Sequence, residues 1–162
     1  MLIHLMQHGV CLSKELDANQ PLSPVGGEQI EKSARAARIL GLNFELIVAS
    51  SKVRSLQTAE IMAEYTGYPV ARIETTDAVK AMAPAQTTID FIREYDGLDS
   101  ILICGHLPSL GAVASALLTG GSRLETNIEN GGLMQIALQS PKEHGVLNWY
   151  LSPVQLAQIT KG

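Results

Sequence analysis

Cysteine is scarce: Cys11 and Cys104 are the only two in 162 residues. Their spacing matches no metal or redox motif and implies no disulfide framework. Long apolar runs are absent as well. None reaches the roughly 18 residues needed to cross a bilayer. The N-terminus has no basic stretch leading into an apolar core, because Met1 runs straight into a short strand-like segment. The chain is therefore read as lacking a secretion signal and as cytoplasmic. Positive charge is also thin, with 12 Lys and Arg against 16 Asp and Glu, a net charge of -4 and no basic run. That balance leaves no footprint for nucleic acid or an anionic membrane. An anionic substrate would have to be attracted by a few cations gathered at one place.

Several catalytic signatures are missing too. There is no Walker A motif and no Gly-x-Gly-x-x-Gly after a strand. No Gly-x-Ser-x-Gly elbow occurs. A cysteine phosphatase needs Cys-x5-Arg, but the sixth residue beyond Cys104 is Leu110, and beyond Cys11 it is Asp17. His4 and His8 stand at i, i+4, a spacing that suits zinc on a helix. On a strand they lie about 13 Å apart along one face, too far to share an ion. His4 is read as a packed strand residue and His144 as a turn residue. No metal or other cofactor is expected.

What is present is a 46% hydrophobic, 17% charged chain, the balance of a folded protein whose length fits one domain over residues 1–162. Its apolar segments alternate between two lengths. Short strand-like runs cover Leu2 to Met6, Phe44 to Ala49 and Ser100 to Cys104, with a further short strand read at Val70 to Thr75. Helical spacing covers about Pro24 to Leu40, Arg54 to Tyr65, Ala85 to Tyr95 and Leu110 to Leu118. Ser23 reads as the N-cap of the first helix, Pro24 as its first residue, and Gly41 as its stop. Leu133 to Leu138 and Val146 to Leu151 flank Ser140 to Gly145 as a hairpin or similar connection. Strand and helix in alternation predict an α/β fold: a three-layer sandwich with a mostly parallel sheet and helices on both faces.

In such sheets ligands bind beyond the carboxyl ends of the strands. Three polar signals fall there: Gln7-His8-Gly9, Ser50 to Arg54, and Gly105-His106-Leu107-Pro108. Each alone is ordinary, since a lone histidine at a strand end is more often structural than catalytic. Together they bring two imidazoles and a guanidinium to one sheet edge, a set suited to a phosphoryl group. Arginine binds phosphate oxygens bidentately. A neutral imidazole can attack phosphorus and carry it covalently. A second histidine, as imidazolium, can stabilise charge on the equatorial oxygens.

At these residues the chain resembles a known family. His8-Gly9 after an N-terminal strand resembles the Arg-His-Gly motif of the histidine phosphatase superfamily, whose fold is phosphoglycerate-mutase-like. Ser50 to Ala59 is similar to its Ser-Pro-x-x-Arg-Ala-x-Gln-Thr-Ala segment, and Cys104 to Pro108 to its second-histidine motif. The short length, His106-Leu107-Pro108, and Asn148-Trp149 before Ser152-Pro153 look like the SixA-type phosphohistidine phosphatases. The resemblance runs in order along nearly the whole chain. It implies that His8 is the phosphorylated nucleophile, that Arg54 and His106 belong to the phosphate pocket, and that water hydrolyses the intermediate without a metal. It also implies an open site without a lid, suited to a phosphohistidine on a protein such as a histidine phosphotransfer domain, or to a small phosphorylated substrate.

The match departs from the motif in places. Gln7 stands where the motif has arginine, and it brings neither charge nor a bidentate fork. By analogy with losing one preorganised oxyanion donor, this costs about 2.7–4 kcal/mol. The change leaves two readings open: an active phosphohistidine phosphatase, and a degenerate member that binds phosphate or a phosphoprotein without turnover. A phosphoramidate bond is weak, which lessens the demand on the pocket. Lys52 is a candidate to replace part of the missing charge, and otherwise a solvated surface lysine. Ser51 replaces proline and Ser55 replaces alanine, both mild changes. Asp77 is the candidate general acid, with a surface carboxylate as the plain alternative.

Overall fold

Strand β4 (Ser100–Gly105) is buried along its whole length, as expected of a strand with helices over both faces. In the computed structural model, which describes residues 1–140 and 144–162, it sits inside a six-stranded sheet. The other strands are β1 (Leu2–Gln7), β2 (Leu46–Ala49), β3 (Glu74–Thr75), β5 (Leu133–Ala137) and β6 (Val146–Leu151), in the order β3-β2-β4-β1-β5-β6. The first four are parallel; β5 and β6 run antiparallel at one edge. The connection between β5 and β6 includes Pro141 to Glu143, which lie outside the described residues.

Alternation along the strands divides the core into two layers. Ile3, Leu5, Ile101 and Ile103 face α3 (Ala85–Arg93) and α4 (Ser109–Thr119). Met6, Leu102 and Cys104 face α1 (Pro24–Ile39), α2 (Val53–Thr66) and α5 (Pro153–Ile159). The helix ends follow local chemistry. The Ser23 hydroxyl accepts from the Gly26 amide ahead of Pro24, while α2 and α4 stop at Gly67 and Gly120 in left-handed conformations. Helix α5 was not expected from the apolar pattern. It is only 7 residues long and held by a Ser152–Gln155 capping box, a local signal rather than a periodic one. The strand read at Val70 to Thr75 is a correction: Val70–Arg72 is a 3₁₀ turn, and only Glu74–Thr75 pairs. Pro69 just before it presets a turn rather than a pleat. Among the described residues, no helix is long and apolar enough to cross a membrane.

The first turn of α1 is pressed against the loop that follows β1. Val10 O accepts from the Ser23 amide at 3.0 Å, and a Cβ built on Gly26 would lie 1.9 Å from that oxygen. Nothing lies within 4 Å of a Cβ built on Gly27. Gly26→Ala should therefore lose about 1–3 kcal/mol through overpacking against backbone, whereas Gly27→Ala should gain about 0.5–1 kcal/mol from helix propensity. Urea unfolding of the two variants checks this; equal effects would contradict the packing described.

His4 is buried within β1. Its Nδ1–H donates to Ile101 O at 3.1 Å, and its Nε2 accepts from the Gln135 amide at 2.9 Å. Gln135 Oε1 in turn accepts from Asn148 Nδ2 at 2.7 Å, so the ring is held as one neutral tautomer. Burial pushes its pKa down to about 4, against a partial opposing effect of the Ile101 carbonyl. The unfolded chain thus binds this proton first as pH falls. His4 should subtract roughly 3 kcal/mol of stability between pH 6.5 and 4, with no loss above that window. His4→Gln should flatten the slope of stability against pH there. Parallel slopes for the two proteins would rule His4 out as the cause.

Candidate active site

The site begins with strand register. Met6 pairs with Cys104 and Gln7 with Gly105, and the His8 amide donates to Gly105 O at 3.0 Å. The next residues, His8 and His106, are therefore neighbours on the same side of the pleat. Their ring centroids are 4.9 Å apart. Arg54 comes from the first turn of α2, which follows β2 on the other side of β4. Its Nε–H donates to His8 Nε2 at 3.3 Å.

His8 is set as a nucleophile by its two nitrogens. Nδ1–H donates to Gly9 O at 2.7 Å, which leaves the lone pair on Nε2, beneath Arg54. Burial lowers the His8 pKa, the Gly9 carbonyl opposes this, and the Arg54 charge adds to the lowering. A neutral ring with a fixed tautomer is the form that attacks an electrophile. Gly9 must lack a side chain, since a Cβ there would lie 2.7 Å from Ile30. Its amide donates to Thr58 Oγ1, whose hydroxyl donates to Arg54 O at 2.8 Å, tying the His8 turn to the helix that carries Arg54.

His106 is buried, and its Nε2 lies 2.6 Å from Ser50 Oγ. Burial, followed by the positive fields of His8, Arg54 and Lys52, pushes its pKa down to about 4. Both causes favour the neutral ring at rest, so the imidazolium form of the sequence reading would need a bound anion to draw in the proton. Desolvation penalises charge, and the Arg54 and Lys52 cations stand close by.

The other sequence candidates are placed differently. Lys52 is exposed, near enough for its charge to act on His106. As the residue before α2 it offers no side-chain cap, so the start of the helix that carries Arg54 keeps its partial positive charge. Gln7 is half-buried and makes no side-chain hydrogen bond among the described residues. The pleat that turns His8 toward α1 and α2 directs Gln7 the other way. Asp77 follows β3 at the same sheet edge, where the Thr76 amide donates to Ala49 O at 3.0 Å. It sits exposed in a 3₁₀ turn, 3.8 Å from Lys80. Cys104 is fully buried and its thiol pKa is driven up by burial, so it offers no thiolate. Among the described residues, no group of three or more His, Cys, Asp or Glu could hold a metal ion.

Residue-by-residue reading missed some supports. Ser55 donates to Cys104 O at 2.7 Å and accepts from the Ser50 amide, joining the ends of β2 and β4. Asn130 Nδ2 donates to His8 O at 2.8 Å, holding the loop before β5 against the site. The Asn130-Gly131-Gly132 turn was the available signal for that contact.

No family model matches the chain. Phosphohistidine phosphatase SixA of Escherichia coli is 22% identical across 96% of each chain, and an uncharacterised protein of Picosynechococcus is 25% identical across 83% of each. The structure of the protein histidine phosphatase SixA complexed with tungstate superposes with a TM-score of 0.87 at 21% identity, over 96% of this chain and 99% of that one. The chain has the fold of the SixA histidine phosphatases. A SixA structure from Agrobacterium tumefaciens also shares that fold, with a TM-score of 0.75 at 20% identity over 94% and 97% of the two chains. So does an Entamoeba histolytica phosphoserine phosphatase, with a TM-score of 0.71 at 16% identity over 96% and 98%.

If the three side chains share one anion, removing the guanidinium should weaken it. Titration calorimetry with inorganic phosphate should give about 10–100-fold weaker binding for Arg54→Ala, the loss of roughly 1.5–3 kcal/mol expected for a hydrogen bond to a charged group. Unchanged affinity would remove Arg54 from the site.

Proposed function

We propose that the protein hydrolyses phosphohistidine carried on a signalling protein, such as a histidine phosphotransfer domain, through a covalent phosphate on His8. The observation that carries this reading is the His8 tautomer: Nδ1–H is given to Gly9 O, so Nε2 carries the lone pair, which accepts from Arg54 Nε–H beside the His106 ring. Similarity to SixA proteins, one of them complexed with the oxyanion tungstate, supports it.

In the first step His8 Nε2 attacks phosphorus and the phosphorus–nitrogen bond to the substrate imidazole breaks. The substrate imidazole, already protonated on its other ring nitrogen, keeps the bonding pair and leaves as neutral imidazole. Arg54 Nε–H, released from His8 Nε2, turns to a phosphate oxygen, where its charge counts most. The Gly9 carbonyl accepting from Nδ1–H steadies the positive charge that His8 gains on phosphorylation. In the second step water attacks the same phosphorus, the bond to His8 breaks, and inorganic phosphate leaves. An imidazole leaving group needs less proton assistance than an alkoxide. That lowers the demand on Asp77, the candidate acid, which is exposed and paired with Lys80 at 3.8 Å.

The surroundings support a protein substrate. Val10, Val53, Met82, Leu107 and Leu124 are all exposed on loops or helix starts at the carboxyl edge of the sheet. A groove that starts at Leu107, the residue after His106, is lined by Pro108, Ala112 and Leu124 together with Ser115, Glu125 and Thr126. An apolar rim around an anion site suits a folded partner better than a small, hydrated phosphate ester.

The test is phosphate release from a phosphorylated histidine phosphotransfer domain. Wild type should release phosphate and, on rapid quenching, carry acid-labile phosphate on His8, whereas His8→Ala should do neither. Arg54→Ala should slow release about 10²–10³-fold, and Gln7→Arg should speed it. Turnover by His8→Ala at the wild-type rate would refute the mechanism.

A further inference from the structure

We propose that Ser50 is a positioning residue whose hydroxyl donates to His106 Nε2 and so holds that ring as its Nδ1–H tautomer, a neutral donor for a phosphate oxygen. The proposal rests on the phosphatase reading above for its consequence, but its premise is a hydrogen-bond direction that can be measured by itself.

That direction follows from an ordered chain of donors. The Ser55 hydroxyl donates to Cys104 O at 2.7 Å, and the Ser50 amide donates to Ser55 Oγ at 3.1 Å. The Ser50 backbone is thereby pinned at the end of β2, directly beside β4. The Lys52 amide then donates to Ser50 Oγ at 3.4 Å. Ser50 Oγ has an amide proton on one side and the imidazole 2.6 Å away on the other. Among the described residues the Ser50 hydroxyl has no acceptor other than His106 Nε2, so a buried hydroxyl proton that must be satisfied points at the ring. Ser50 is 1% exposed and His106 is 2% exposed, so water does not compete for either partner. His106 Nδ1 has no protein partner among the described residues and is left for a ligand.

The groups that act on His106 make this arrangement useful. His8, Arg54 and Lys52 all disfavour a second proton on the ring. A site that needed imidazolium would work against that field. A tautomer chosen by Ser50 supplies an N–H without any change of charge, and it leaves the cationic share of phosphate binding to Arg54. The same device holds His4, where Gln135 donates to Nε2 and leaves Nδ1–H to donate to Ile101 O.

Two readouts test it. In the ¹⁵N spectrum of uniformly labelled wild type near pH 7, His106 should show a pyridine-like Nε2 and a pyrrole-like Nδ1. Ser50→Ala should shift the ring toward a mixture of tautomers. In phosphate release, Ser50→Ala should lose about tenfold in kcat near pH 7.5 with little change in KM, and should regain activity as pH falls and His106 takes a second proton. The wild-type kcat should stay flat over the same range, and Ser50→Thr, which keeps the hydroxyl, should restore part of the loss. A pyrrole-like Nε2 in the wild type would overturn the proposal, as would a Ser50→Ala profile parallel to that of wild type. If wild type released no phosphate at all, the functional reading would fail, while the ring spectrum would still decide the tautomer.

Discussion

The constraint on which the rest depends is the in-register pairing of two parallel strands, β1 and β4. Because Gln7 lies opposite Gly105, His8 and His106 follow as neighbours on one pleat face, and strand spacing alone brings their rings to contact. A shift of one residue in either strand would turn one ring to the other face of the sheet. Register here is held by burial on both faces: Ile3, Leu5, Ile101 and Ile103 are all 1% exposed or less on one side, and Met6, Leu102 and Cys104 are fully buried on the other. The core that stabilises the fold is thus also what sets the distance between the two imidazoles.

Electrostatics then divide the labour between those rings. Both are pushed toward neutrality, chiefly by burial, yet they are bonded differently. His8 donates through Nδ1 to Gly9 O and keeps a lone pair at Nε2, the requirement for a nucleophile. His106 is bonded through Nε2 to Ser50 and keeps Nδ1 for a ligand. Arg54 is the close permanent cation, and the uncapped start of α2 adds a partial charge of the same sign. A site in a chain of net charge -4 gathers its positive potential from these few sources rather than from a basic surface.

Much of the fold was legible in the sequence, for identifiable reasons. Short apolar runs marked β1, β2 and β4, with Gly9 and Gly105 breaking the first and the last, because fully buried strands need apolar side chains on both faces. Helical spacing with Ser23-Pro24 at one end marked α1. The three polar strand ends could be assigned to one edge because parallel strands joined by helices must all end on the same side. What stayed hidden depends on contacts between segments far apart in the chain. Ser50 reads as an ordinary loop residue until β2 is laid beside β4. Asn130 bonds back to His8 across 122 positions, and no periodicity signals it. The neutral state of His106 follows from burial and from two cations that only the fold brings near. The Val70 to Thr75 segment has strand-like side chains, yet the turn set by Pro69 governs its first half.

The central claim is that His8, Arg54 and His106 close around one oxyanion. A crystal structure with bound tungstate tests it most directly. The account predicts the metal of the oxyanion in line with His8 Nε2, its oxygens bonded to the Arg54 guanidinium, which will have left Nε2, and to His106 Nδ1. Tungstate seated elsewhere, with Arg54 still bonded to His8, would contradict it.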